Sequence, residues 1–148
     1  MDEITEQLWV SGVDTLTHAT PGQFELVVGV CHTDKRDLFD CEYAYYDMAD
    51  GVHDPFGDNS NEYFFNAVNA VRNALADDST VLVHCQAGQS RSVTVAAAAL
   101  ACEHGHYNVE KALTTIESAR PEADPGPSMV KKANAYVNSI EQLTAYQE

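Results

Sequence analysis

Residues His84-Cys85-Gln86-Ala87-Gly88-Gln89-Ser90-Arg91-Ser92 place a nucleophile and a permanent cation at the two ends of one short segment. Cys85 opens it and Arg91 closes it, with five residues between. Thiolates attack and thiols do not, so the surroundings of the sulfur decide what it can do. A tight loop from Gln86 to Arg91 can turn its backbone N–H groups inward as an anion-binding nest. A helix beginning near Ser90 aims its unpaired N–H groups and positive dipole end at the same point. Arg91 adds a full charge. Such environments bring cysteine pKa values to roughly 3.5–7.5, so Cys85 is expected to be largely thiolate at pH 7. The arrangement is a cradle for a phosphate dianion with a sulfur nucleophile at its base.

The same groups can then hold the ligand. Arg91 can grip two phosphoryl oxygens with its planar fork, which a lysine cannot do. The backbone of Gln86, Ala87, Gly88, Gln89, Ser90 and Arg91 supplies the remaining donors. Gly88 suits a tight loop because it adopts positive φ and lets the backbone approach a ligand closely. Ser92 sits where its hydroxyl can donate to the sulfur and stabilise it as a leaving group. His84 is expected to orient the cysteine through its ring or its backbone. The bland alternative is a buried cysteine at a strand end beside a surface arginine, and the context of the segment argues against it.

That context is an apolar run, Thr80-Val81-Leu82-Val83, directly before the segment and a helix-like run, Val93 to Leu100, directly after it. Further strands are expected at 7–10, 25–31 and 43–47, besides 80–84. Helices are expected from about Thr15 to Ala19 and over 60–76, 90–104, 108–119 and 128–145, with Asn108 as a helix cap. Strands alternating with helices predict an α/β fold of one domain, 1–148, with a mostly parallel sheet of four to five strands. The cysteine loop then lies at the carboxyl end of its strand, where such sheets place ligands. Segments 51–61 and 120–128 read as loops, the first as a mobile lid. The aromatic group Tyr43, Tyr45, Tyr46, Tyr63, Phe64 and Phe65 reads as core and strand face.

The segment resembles the signature loop of the cysteine-dependent protein phosphatases, specifically the small dual-specificity group. Ile4 to Gly12 and Phe24 to Cys31 look like that family's first two strands. Glu62 to Val68 resembles the helix before its catalytic strand. Ala119-Arg120-Pro121 and Pro125-Gly126-Pro127 resemble its late turn before the last helix. The resemblance implies a dual-specificity-phosphatase-like fold, no metal and no cofactor. It also implies an aspartate, upstream of the loop, that protonates the leaving oxygen. Asp50 is the preferred candidate because it follows the strand-like Tyr43-Ala44-Tyr45-Tyr46 and is followed by Gly51. Asp54 competes because its distance to Tyr63-Phe64 suits other members. Some relatives in the superfamily carry a second cysteine at a strand end that captures the oxidised nucleophile, and Cys31 stands at such a place. A small buried residue is the alternative for Cys31.

Eight lysines and arginines face 23 aspartates and glutamates, for a net charge of −15. Repulsion disfavours nucleic acid and anionic membranes as partners. The preferred explanation of the charge is adaptation to high salt, where screening removes the self-repulsion. An ordinary acidic protein and a basic substrate surface are the alternatives. The four cysteines and six histidines lack metal-ligand spacing, and the cysteines do not suggest a disulfide framework. Met1-Asp2-Glu3 is unlike a signal peptide, and the apolar run from Val93 to Cys102 is too short to span a bilayer, so a cytoplasmic protein is expected.

The expected function is hydrolysis of phosphate monoesters on phosphotyrosine and phosphoserine or phosphothreonine of proteins, through a cysteinyl-phosphate. Phosphate, sulfate or vanadate are the expected active-site anions. Other readings are a phosphoprotein-binding module without turnover, which normally loses the cysteine or the arginine, and a sulfur-transfer or arsenate-reductase type of cysteine enzyme. An RNA 5′-phosphatase would use the same chemistry against the chain's acidity. The chain lacks room for extra recognition loops, so a shallow, permissive pocket is expected.

Overall fold

The computed structural model describes residues 1–49, 60–103 and 108–147. Four short segments form mutually parallel strands: β2 (Leu8–Ser11), β3 (Leu26–Gly29), β4 (Glu42–Tyr45) and β5 (Val81–His84). A two-residue strand, β1 (Asp2–Glu3), joins β2 antiparallel. The order across the sheet is β1-β2-β5-β3-β4, the α/β, mostly parallel arrangement expected from the sequence.

Register explains how the two faces are filled. Trp9, Leu82, Val27 and Tyr43 are partners in one row across the sheet, and Val10, Val83, Val28 and Ala44 in the next. Side chains of successive rows point to opposite faces. The Val10 row joins the larger core beneath the helices. The Trp9 row packs with Leu16 and Phe24, beside a 3-10 helix at Val13–His18. A further row, Ser11, His84, Gly29 and Tyr45, lies at the carboxyl ends of the strands and carries the site.

The helices are α1 (Ser60–Ala76), α2 (Arg91–Glu103), α3 (Val109–Ala119) and α4 (Pro127–Gln147). Every residue of α2 from Ser92 to Cys102 is buried. A helix apolar on all sides must be enclosed, and α2 packs on β2 and β5 while touching α1, α3 and α4. Its small residues Ala96 to Ala99, spread around the helix circumference, let those neighbours approach. Asp78 breaks the chain away from α1 with φ 57°, a conformation that aspartate tolerates better than most residues. Asn108 caps α3, its side chain accepting from Lys111 N at 3.1 Å; such caps contribute about 1 kcal/mol.

Several boundaries differ from the sequence reading. β3 stops at Gly29 rather than residue 31, because its partner β5 ends at His84, where the loop departs. Val30 N still donates to His84 O at 2.9 Å, and Cys31 lies beyond the ladder. β4 covers 42–45 rather than 43–47, and the first helical turn is 3-10 and starts at Val13. β1 was not expected at all. No helix among the described residues is long and apolar enough to cross a membrane.

Candidate active site

Cys85 to Ser90 bridge the end of β5 and the start of α2. Cys85 is buried, and its N–H donates to Ser11 O at 3.3 Å. The next five carbonyls are all held by the surrounding protein. Gln86 O accepts from Val13 N at 3.0 Å, Gln89 O from Asp124 N at 2.8 Å and Ser90 O from Thr94 N at 2.9 Å. Ala87 O accepts from Arg120 Nη2 at 3.3 Å and Gly88 O from Arg120 Nε at 2.7 Å. In a planar trans peptide the C=O and the following N–H point in opposite directions. Carbonyls turned outward at 86 to 90 therefore turn the N–H groups of Ala87 to Arg91 inward. The Gly88 N–H accordingly reaches Cys85 Sγ, at 3.3 Å. Gly88 has φ 68°. A Cβ there would lie 2.6 Å from Gly12 N and 2.7 Å from Ser11 C, so both its conformation and its packing require glycine.

Ser92, fully buried in the first turn of α2, places Oγ 3.1 Å from Cys85 Sγ. Arg91 begins α2 and is half-buried; its Nη1 donates to Met48 O at 3.0 Å, in the segment that follows β4. Next to Met48, the exposed Asp47 Oδ1 lies 2.5 Å from His32 Nδ1. Gln86, Ala87 and Gln89 are exposed, so the outer part of the loop is uncharged. Cys85, Arg91, Ser92 and the loop residues between are thus brought together as the spacing predicted. Asp50 and Asp54 lie outside the described residues, as does most of the expected lid.

Behind the nucleophile, His84 is fully buried and its Nε2 lies 2.7 Å from the Tyr43 hydroxyl. That hydroxyl oxygen accepts from Lys35 N at 3.1 Å, which leaves its proton for the imidazole. Burial pushes His84 down to about 4 and Tyr43 up to about 12, so both are neutral at pH 7. Gly29 makes the contact feasible, since a Cβ there would overlap the Tyr43 hydroxyl and lie 2.9 Å from His84 Nε2. The aromatic cluster was read as core and strand face. Tyr43 sits there with its ring, but its hydroxyl holds the imidazole that precedes the nucleophile.

Arg120 also holds the loop, although the sequence placed Ala119-Arg120-Pro121 only as a late turn and gave Arg120 no role at the site. It is 6% exposed. Besides the two loop carbonyls it pairs with Asp2 Oδ2 at 2.8 Å and Glu122 Oε2 at 3.2 Å. The turn it opens wraps the outer side of the loop, and Gly126 N donates to Ser90 Oγ at 2.9 Å. An arginine beside a proline in a polar turn carries no pattern that reveals such a contact.

Cys31 is buried and its thiol donates to Thr33 O at 3.3 Å. Burial pushes its pKa up. Because β3 and β5 are adjacent and parallel, Cys31 and Cys85 leave the sheet at the same edge. All four cysteines are free. Among the described residues, no three His, Cys, Asp or Glu side chains gather as a metal site.

Residues 12–139 match the family described as dual specificity phosphatase, catalytic domain. The tyrosine-protein phosphatase yvh1 of Schizosaccharomyces pombe is 35% identical over 92 residues, which is 62% of this chain and 28% of that protein. The chain spans less than half the length of the curated relatives that it matches first. The crystal structure of human DUSP28 aligns with TM-score 0.75 at 21% identity, covering 97% of this chain and 99% of that one. PTPMT1 in complex with PI(5)P aligns with TM-score 0.72 at 19% identity, covering 96% and 97%.

Proposed function

The chain belongs to the dual specificity phosphatase family, and from that premise we propose that residues 1–148 form one catalytic domain that hydrolyses phosphate monoesters of proteins. Cys85 attacks phosphorus in line, forming the S–P bond as the ester P–O bond breaks. Arg91 and the inward N–H groups of Ala87 to Arg91 stabilise the equatorial oxygens. Asp50 gives its proton to the departing oxygen, with Asp54 the competing candidate. Water, deprotonated by the same aspartate, then attacks phosphorus and breaks the S–P bond. Ser92 donates to the departing sulfur. The sum is ester plus water to alcohol plus inorganic phosphate, with no metal and no cofactor.

The observation that carries this reading is the set of outward carbonyls from Gln86 to Ser90, which leaves the opposite edge of the loop as donors around Cys85 Sγ. Phosphotyrosine and phosphoserine or phosphothreonine of proteins are the proposed substrates. The PI(5)P seen in PTPMT1 marks a lipid alternative. The exposed loop side chains here, Gln86 and Gln89, are neutral and favour a ligand with one phosphate over a polyphosphorylated headgroup. A cytoplasmic location suits the four free thiols. Phosphate release from p-nitrophenyl phosphate, inhibited by vanadate, tests the chemistry. Parallel release from phosphopeptides and from PI(5)P vesicles tests the substrate class, and turnover of the lipid alone would overturn the protein assignment.

A further inference from the structure

We propose that Arg120, braced by Asp2, is a positioning residue that sets the anion affinity of the 85–91 loop; the inference rests on the phosphatase reading. Three of the five outward carbonyls, those of Gln86, Gln89 and Ser90, are held by backbone N–H groups. The other two, of Ala87 and Gly88, are held by this one side chain. Their peptides carry the N–H groups of Gly88 and Gln89, so Arg120 fixes the direction of two inward donors. Those two peptides flank Gly88, the residue of the loop with the widest conformational freedom and φ 68°. Without a grip they are the ones free to rotate.

The chemistry of the grip is specific. A guanidinium is planar and presents Nε and Nη2 to adjacent carbonyls at fixed spacing, which an ammonium does not. Its remaining nitrogen, Nη1, faces Asp2 Oδ2 at 2.8 Å and Glu122 Oε2 at 3.2 Å. The Arg120 side chain is only 7% exposed and Asp2 34%, so the carboxylate offsets the cost of burying the cation. Asp2 belongs to β1, a two-residue strand at the edge of the sheet. The seating of β1 is thereby coupled to the orientation of the loop's N–H groups.

The test compares wild type, Arg120→Lys, Arg120→Met and Asp2→Asn for p-nitrophenyl phosphate kinetics, vanadate Ki, far-UV circular dichroism and Tm. Small misplacements in such sites cost up to about 100-fold. Folded Arg120→Lys is expected to lose about 10–100-fold in kcat/KM, with vanadate Ki rising by a comparable factor. Asp2→Asn is expected to shift both in the same direction by less. A purely structural role lowers Tm and leaves Ki unchanged; unchanged Ki in folded Arg120→Lys overturns the proposal. If neither Arg120 variant folds, unchanged Ki in Asp2→Asn does so. If the wild type neither turns over nor binds vanadate, the phosphatase reading fails. Amide exchange then decides for the loop in the same variants: faster exchange at Gly88 and Gln89 supports the grip, and equal exchange removes it.

Discussion

Ser92 Oγ and Cys85 Sγ stand 3.1 Å apart, one on the first turn of α2 and the other just past β5. The hydroxyl therefore faces the sulfur whether the sulfur is attacking or leaving. A hydrogen bond to a charged group contributes about 1.5–3 kcal/mol, which is about 10–100-fold in a rate. Ser92→Ala should slow breakdown of the cysteinyl-phosphate by that factor while its formation continues. Stopped-flow kinetics should show a burst of nitrophenolate before a lowered steady rate. A lowered rate with no burst would place the serine in the first step instead.

Cys85→Ser should abolish turnover of aryl phosphate yet still bind vanadate or phosphate, because the N–H groups from Ala87 to Arg91 remain. Arg91→Ala should nearly abolish turnover and weaken anion binding as well. Isothermal titration with vanadate separates the two. Substantial turnover by Cys85→Ser would remove the covalent mechanism.

Asp50→Asn should cost about 10²–10⁴-fold in turnover of substrates with poor leaving groups, the usual contribution of general acid catalysis. The loss should shrink for p-nitrophenyl phosphate, whose leaving group needs little protonation. The same pattern in Asp54→Asn, with Asp50→Asn unaffected, would transfer the role to the competitor.

The buried, neutral His84 makes stability depend on pH. Its pKa falls from 6.5 to about 4 on folding, mainly through burial. Between those values the unfolded chain binds the proton and the folded one does not. The contribution is thus fully present above the unfolded value and is lost as pH falls through the window, up to about 3 kcal/mol in all. Urea unfolding of wild type and His84→Gln at pH 7 and pH 4.5 isolates this effect. The stability difference should move toward the variant at the lower pH, and a difference independent of pH would contradict the assignment.

The nucleophile, its loop and both flanking elements were legible because they are local. An unbroken apolar run marks β5, an alanine-rich run marks α2, and Cys85, Gly88, Arg91 and Ser92 lie between them. The partners that hold the loop were not legible, because sequence spacing carries no trace of them. Arg120 reaches Gly88 across 32 positions, and Tyr43 reaches His84 across 41. β1 escaped notice because two charged residues show no alternation; pairing with β2 defines them. Cys31 was placed on a strand because periodicity does not report where a neighbouring strand ends.

With a net charge of −15 and eight cationic side chains, self-repulsion should weaken the fold in dilute buffer. Added salt screens it over about 10 Å at 0.1 M and about 3 Å at 1 M. Tm should therefore climb steeply as KCl rises toward molar concentrations. A flat or falling curve would remove the high-salt explanation of the composition.

The contact among Gly29, Tyr43 and His84 also constrains the order in which this chain can accumulate substitutions. Alanine at 29 meets the Tyr43 hydroxyl while that hydroxyl is present. Once Tyr43 has become phenylalanine, the oxygen is gone, but a Cβ at 29 still meets His84 Nε2 at 2.9 Å, and His84 has already lost its donor. One route passes through a clash and the other through a loosened histidine. The three positions therefore behave as one heritable unit, and single-step drift at any of them is resisted by the other two.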